Sequence, residues 1–193
     1  VPLRFDPKNR ASLFSQERQK RLPPRLVLKA LRLKPGITLL DIGAGNGYFT
    51  LPALKKVGKD GTIIAVDIEP KMLKDLKRKI PAKTGNVRLL QAPAEKIPLP
   101  DAIADRALMA LVLHEVDNKT AALREAHRLL KPAGLLAVLE WEKIKPPPGP
   151  PRSERISLAQ LRKLTRTAGF ALRHYQQLNI FHYLALFEHV PNF

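Results

Sequence analysis

The chain has 193 residues, enough for one domain with a continuous core, and its 34 Lys and Arg against 17 Asp and Glu give a formal net charge of +17. With no cysteine present, disulfides, thiolate metal sites and cysteine nucleophiles are excluded. A surface this basic attracts phosphate-rich partners or anionic small molecules, or is simply solvated; its positives are scattered ("RQKR", "KDLKRK", "RKLTR") with few aromatics among them.

In chain order, Pro23 and Pro24 predict a helix start running to about Leu33 and closed by Lys34 to Gly36. "ITLLDIG" reads as a buried strand, "GYFTLPALKKVG" as a helix ending at Gly58 and "GTIIAVDI" as a second strand. Pro70 near the start, with Met72, Leu76 and Ile80 at four-residue spacing, makes "EPKMLKDLKRKI" a helix. "NVRLLQA" is a third strand and "DRALMALVL" a fourth, before a helix from about Asn118 to Leu130 that stops at "KPAG". "LLAVLEW" is a fifth strand, followed by a stiff proline-rich connection at 145–151. Ser157 and Gln160 stand at capping-box spacing ahead of a helix stopped by Gly169. "FALRHYQQL" and "IFHYLALFEHV" lie too close together for a crossover, so they pair antiparallel through a turn near Gln177 to Asn179. Strands alternating with helices predict an α/β fold, a doubly wound, mostly parallel sheet.

The most informative stretch is "LLDIGAGNGYFT", Leu39 to Thr50: a strand, a glycine-rich turn and a helix, the layout that holds a nucleotide-like cofactor. Counted from Gly43 and Gly45, the third position of the dinucleotide fingerprint is Tyr48, a bulky ring where a glycine is wanted, which disfavours a pyrophosphate. Asp67 ends the second strand about 20 residues on, where a carboxylate accepts hydrogen bonds from both ribose hydroxyls and repels a 2′-phosphate. A tight turn with no ligand is the alternative.

With these residues, the chain resembles the class I S-adenosylmethionine-dependent methyltransferases, in the small group related to the ubiquinone/menaquinone biosynthesis enzymes. The resemblance runs from about Pro24 to Val190, through "AVDIEPKML", "PAEKIPLPDAIAD", "VLHEVDN" and "EAHRLLKPAGLLAVLEW". It implies a seven-stranded sheet whose antiparallel last strand is inserted beside the fifth, and S-adenosylmethionine as cofactor. It places Asp41, Gly43, Ala44 and Gly45 around the cofactor's amino-acid end, with Tyr48 or Phe49 closing over it. Asp67 falls at the ribose, Ile68 beside the adenine, and Ala94 and Glu95 along the adenine edge. Pro93 stands where the family often has an Asp, and its ring offers neither carboxylate nor N–H.

Residues after the fourth strand, Leu111 to Asn118, are implied to lie over the transferred methyl. His114 is the first candidate base, or else a strand-end cap; Glu115 is a second, or an exposed acid. Glu140 and Trp141 end the fifth strand, where the ring is either a wall of a substrate pocket or core. Residues 1–23 are a lid over that pocket or a surface helix. His127 shares the helix face of Leu123 and Leu130 and reads as structural; His174, His182 and His189 have no ligand-like spacing, so no metal is expected. "LMAL" occupies the place of the Asp- or Asn-Pro-Pro-aromatic box of exocyclic-amine methyltransferases, which favours a small-molecule acceptor. The rivals are a nicotinamide oxidoreductase and a module, enzymatic or not, acting on RNA or DNA through its charge. No signal-peptide core opens the sequence, and no apolar run is long enough to span a bilayer, so one cytoplasmic methyltransferase domain over 1–193 is expected.

Overall fold

Strands β1 (Thr38–Ile42), β2 (Thr62–Asp67) and β5 (Leu130–Trp141) carry long apolar runs rather than strict alternation, a pattern that needs cover on both sheet faces. In the computed structural model, which describes residues 5–82, 84–144 and 149–191, they receive it. With β3 (Val87–Gln91), β4 (Ala104–Ala110), β6 (Phe170–Asn179) and β7 (His182–His189) they form one seven-stranded sheet in the order β3-β2-β1-β4-β5-β7-β6. Pairings from β3 to β5 are parallel, while β7 is antiparallel to both β5 and β6. The expected insertion of the antiparallel strand beside the fifth is thus present.

Neighbouring residues of β1 point to opposite layers. Leu39 packs with Val27 and Leu28 of α2 (Pro24–Ala30) and with Ala53 and Val57 of α3 (Thr50–Val57). Leu40 packs in the opposite layer with Leu123 and Ala126 of α5 (Lys119–Leu129) and Leu161 of α6 (Leu158–Thr167). Helix α4 (Pro70–Lys79) contributes Leu76 against Ala44 and Ala65. Before α2, a 3-10 helix (Pro7–Phe14) and the short α1 (Gln16–Arg21) cross the end of the sheet. Among the described residues no helix is long and apolar enough to cross a membrane.

Four boundaries differ from expectation. The first helix stops at Ala30 because Arg32 turns left-handed (φ 52°) and the Arg106 guanidinium takes the Leu31 carbonyl at 2.9 Å. The fourth strand ends at Ala110, since Leu111 is left-handed (φ 58°) and leads into a 3-10 turn at Leu113–Glu115. "KPAG" lies inside β5 as a bulge: Ala104 pairs with Leu130 but Arg106 with Leu135, and Lys131 Nζ donates to Asp105 at 2.8 Å. The last hairpin turns at Ile180 and Phe181, later than expected, because the Asn179 side-chain Oδ1 accepts from the N–H groups of Phe181 and His182. The predicted capping box at Ser157 and Gln160 has both its arms. Most of the proline-rich connection lies outside the described residues.

Candidate active site

A sheet whose order reverses between β1 and β4 opens a crevice at the carboxyl ends of its strands. There the structure has a cavity of about 520 Å³, within the range of small-molecule sites. Its floor is the glycine loop after β1, sewn to β2 by the N–H groups of Gly43 and Ala44, which both donate to the Val66 carbonyl. Gly43 is needed here twice over: its φ is +72°, and a Cβ would stand 2.5 Å from Val112 Cγ2.

Asp67, at the end of β2, meets this loop directly. Its Oδ2 accepts the Gly45 N–H at 2.7 Å and its Oδ1 the Glu69 N–H at 2.9 Å, which fixes the carboxylate while leaving further lone pairs on both oxygens. Burial raises its pKa, and those backbone donors pull it partly back. Ile68, Ala94 and Glu95 line the same end of the cavity, with Glu95 also accepting the Asn118 N–H at 3.2 Å. Pro93 does not line it.

Asp41 sits differently from the residues of the loop itself. It is buried below the loop, away from the cavity lining, and accepts a 2.5 Å hydrogen bond from Thr50 Oγ1. Burial pushes its pKa up to about 6, against the Thr50 bond and helped by the Asp67 charge. Tyr48 and Phe49 both line the cavity and both are buried, in edge-to-face contact at 5.1 Å. The Tyr48 hydroxyl is spent on the Leu22 carbonyl at 2.8 Å.

At the other end, the left-handed Leu111 donates its N–H to Leu139 of β5 and turns the chain so that His114 faces Glu140. The Glu140 carboxylate lies 2.8 and 3.1 Å from His114 Nδ1, and it also accepts the backbone N–H groups of His114 and Trp141. A carboxylate held by those donors fixes the proton on Nδ1 and leaves Nε2 free to accept. Burial alone would depress the His114 pKa, but the charge and hydrogen bond of Glu140, with Glu115 and Glu154, outweigh it and leave it raised. Glu140 is fully buried and absent from the lining, so it supports His114 and is no pocket wall. Glu115 does line the cavity, its Oε1 3.6 Å from His114 Nε2 and its Oε2 accepting the Phe5 N–H at 3.1 Å. Burial raises its carboxyl, against that N–H and His114.

Trp141 forms the far wall with Gly149 and Pro150, its ring backed by His182 and by the Arg155 guanidinium. Phe5, Asp6, Asn9, Leu13 and Arg18 add the N-terminal side, tied down where Asn46 Nδ2 donates to the Arg10 carbonyl at 2.8 Å. The sequence pointed to this segment but to none of its residues; Arg18 is one of 34 cations and carries no local signature. His127 is structural, stacked on His189 and bonded to the Val190 carbonyl. Among the described residues no group of three acids or histidines is placed to hold a metal.

Residues 40–138 match the methyltransferase domain family. A solved SAM dependent methyltransferase from Aquifex aeolicus is 30% identical and superposes with a TM-score of 0.90, covering 97% of this chain and 100% of its own. Ubiquinone/menaquinone biosynthesis C-methyltransferases UbiE of Azotobacter vinelandii and Shewanella pealeana are 39% and 38% identical over 125 residues, 64% of this chain. The chain spans about half the length of these curated relatives. It belongs to the methyltransferase domain family, as an S-adenosylmethionine-dependent enzyme of the class I fold related to UbiE.

Proposed function

We propose that the cavity holds S-adenosylmethionine at the Asp67 end and a small-molecule methyl acceptor between Leu111, His114 and Trp141. The observation that carries this reading is a single cavity that runs from the ribose-type acid to the buried His114–Glu140 pair. The residues suit the cofactor: both Asp67 oxygens have acceptor capacity left, and the Gly45 backbone is open, with only Leu13 Cδ1 within 4 Å of where a Cβ would stand. Gly43, Ala44 and Gly45 take its amino-acid end, Asp67 the ribose, and Ile68, Ala94 and Glu95 flank the adenine. When bound, the cofactor supplies a methyl group activated by a sulfonium.

The protein then has two tasks, orientation and proton removal. Leu111 and Trp141 shape the acceptor's place, and the N-terminal residues from Phe5 to Arg18 cover it. His114 takes the acceptor's proton on Nε2, while Glu140 holds the ring and stabilises the imidazolium that results. The curated relatives are named as C-methyltransferases of quinone biosynthesis, which supports a small organic acceptor.

Two measurements test this. Calorimetry with S-adenosylhomocysteine is expected to show binding that Asp67→Ala weakens by about 1–3 kcal/mol, through loss of charge-assisted ribose hydrogen bonds. Methyl-labelled cofactor, incubated with cell extract and the enzyme, is expected to place its label in the small-molecule filtrate. Label confined to nucleic acid or protein overturns the acceptor class.

A further inference from the structure

Arg18 is the only lysine or arginine among the described residues that line the cavity. Its guanidinium lies 4.8 Å over the Tyr48 ring, and its Nε is buried without a hydrogen-bond partner. Among the described residues no carboxylate pairs with it, although five acids (Asp6, Asp67, Glu69, Glu95 and Glu115) line the same cavity. Asp67, Glu69, Glu95 and Glu115 each accept a backbone N–H instead, and Asp6 caps the first 3-10 helix through Lys8. Arginine pairs elsewhere on the surface are made readily, as between Arg10 and Asp75 or Arg21 and Glu17. A half-buried guanidinium whose Nε has no partner costs desolvation that no carboxylate among the described residues returns, and burial depresses its pKa.

The place of this cation narrows its purpose. It stands over Tyr48 from α1, a helix that also reaches the β6–β7 turn, where Arg21 lies over Phe181 and its carbonyl accepts from Asn179 Nδ2, beside the His182 imidazole tilted against Trp141 at 4.3 Å. That is the Trp141 end of the cavity, across from Asp67. A planar guanidinium fork matches a carboxylate through two parallel hydrogen bonds, and the rings of Tyr48, Phe49 and Trp141 match a flat apolar body.

We propose that Arg18 is the recognition point for a carboxylate on the methyl acceptor, so that the enzyme's substrates are aromatic or apolar carboxylic acids. The inference rests on the methyl-transfer reading above and makes Arg18 a specificity-determining residue for it. A carboxylate also ends the cofactor's amino-acid portion, and the test separates the two.

The full chain, saturated with S-adenosylhomocysteine, is titrated with benzoate, 4-hydroxybenzoate and 3,4-dihydroxybenzoate, each beside its neutral amide. Trp141, the sole tryptophan, reports binding by fluorescence. The acids are expected to bind at least roughly tenfold tighter than the amides, as one charge-assisted pair implies. Arg18→Met is expected to abolish that preference and Arg18→Lys to keep part of it. Equal binding of acid and amide, no binding of either, or a preference that survives in Arg18→Met overturns the proposal. So does an Arg18→Met variant that loses S-adenosylhomocysteine but keeps 5′-methylthioadenosine, because the guanidinium then belongs to the cofactor's own carboxylate. Failure of S-adenosylhomocysteine to bind the parent protein is a different result, and it sinks the methyl-transfer reading itself.

Discussion

His114 and Asp41 are both buried and both shifted in pKa, with opposite meanings for the enzyme. The raised His114 pKa means the imidazole is still protonated at its ordinary 6.5, so a base at this position gains activity only as pH rises beyond that value. The rate is therefore expected to climb on an alkaline limb above pH 6.5. In His114→Gln that limb is expected to vanish with a loss of roughly 10²–10⁴ in turnover, while S-adenosylhomocysteine affinity stays as it was. The same shift makes the His114–Glu140 pair fully stabilising below 6.5, a contribution lost as pH climbs through the raised pKa. Asp41 binds its proton more tightly folded than unfolded, with a pKa of about 6 against an ordinary 3.8. Its ionisation thus removes stability as pH rises through that window, by about 3 kcal/mol in all. Asp41→Asn keeps an acceptor for Thr50 without the charge. Urea unfolding is expected to show it more stable than the parent by up to about 3 kcal/mol at pH 8, and by about half that at pH 5. Equal stability of the two proteins at pH 8 removes the buried charge as a cost.

Among the elements, α6 is held at its start by a reciprocal arrangement. Ser157 Oγ accepts the Gln160 N–H, and Gln160 Oε1 accepts the Ser157 N–H at 3.0 Å. Ser157→Ala breaks one arm, at a cost of about 1 kcal/mol, so thermal unfolding is expected roughly 2–4 °C earlier with cofactor affinity untouched. This cap was legible in the sequence because both of its residues sit within four positions of each other. Gly43 and Asp67 were legible for a related reason, since a strand end followed by glycines, then another strand end with an acid, fixes the crevice. The element ends that escaped are those set by distant partners. Leu111 turns left-handed against β5, and Arg106 stops α2 from a strand far along the chain. Neither turn contains the glycine that would mark it. The role of Glu140 escaped likewise: alternation puts it on the face of Leu136 and Val138, but its partner His114 comes from the turn after the neighbouring strand β4.

For the whole molecule, a doubly wound, mostly parallel sheet followed from the alternation of strands with helices, the short gap before the last strand revealed its antiparallel direction, and its insertion beside β5 followed from the family resemblance. The residues on the cavity's N-terminal side did not follow, because that segment has no strong period and meets the strand ends only in the fold. The position of β7 between β5 and β6 has a consequence for how the chain is made. Translation delivers β6 before β7, yet β6 has no neighbour in the sheet except β7. The two strands can therefore join the sheet only once β7 has been made. Until they do, a nascent chain on the ribosome shows the bare apolar edge of Leu135 to Trp141, a ready template for strands of other chains. The half-made protein, more than the finished one, is what a cell has to shield.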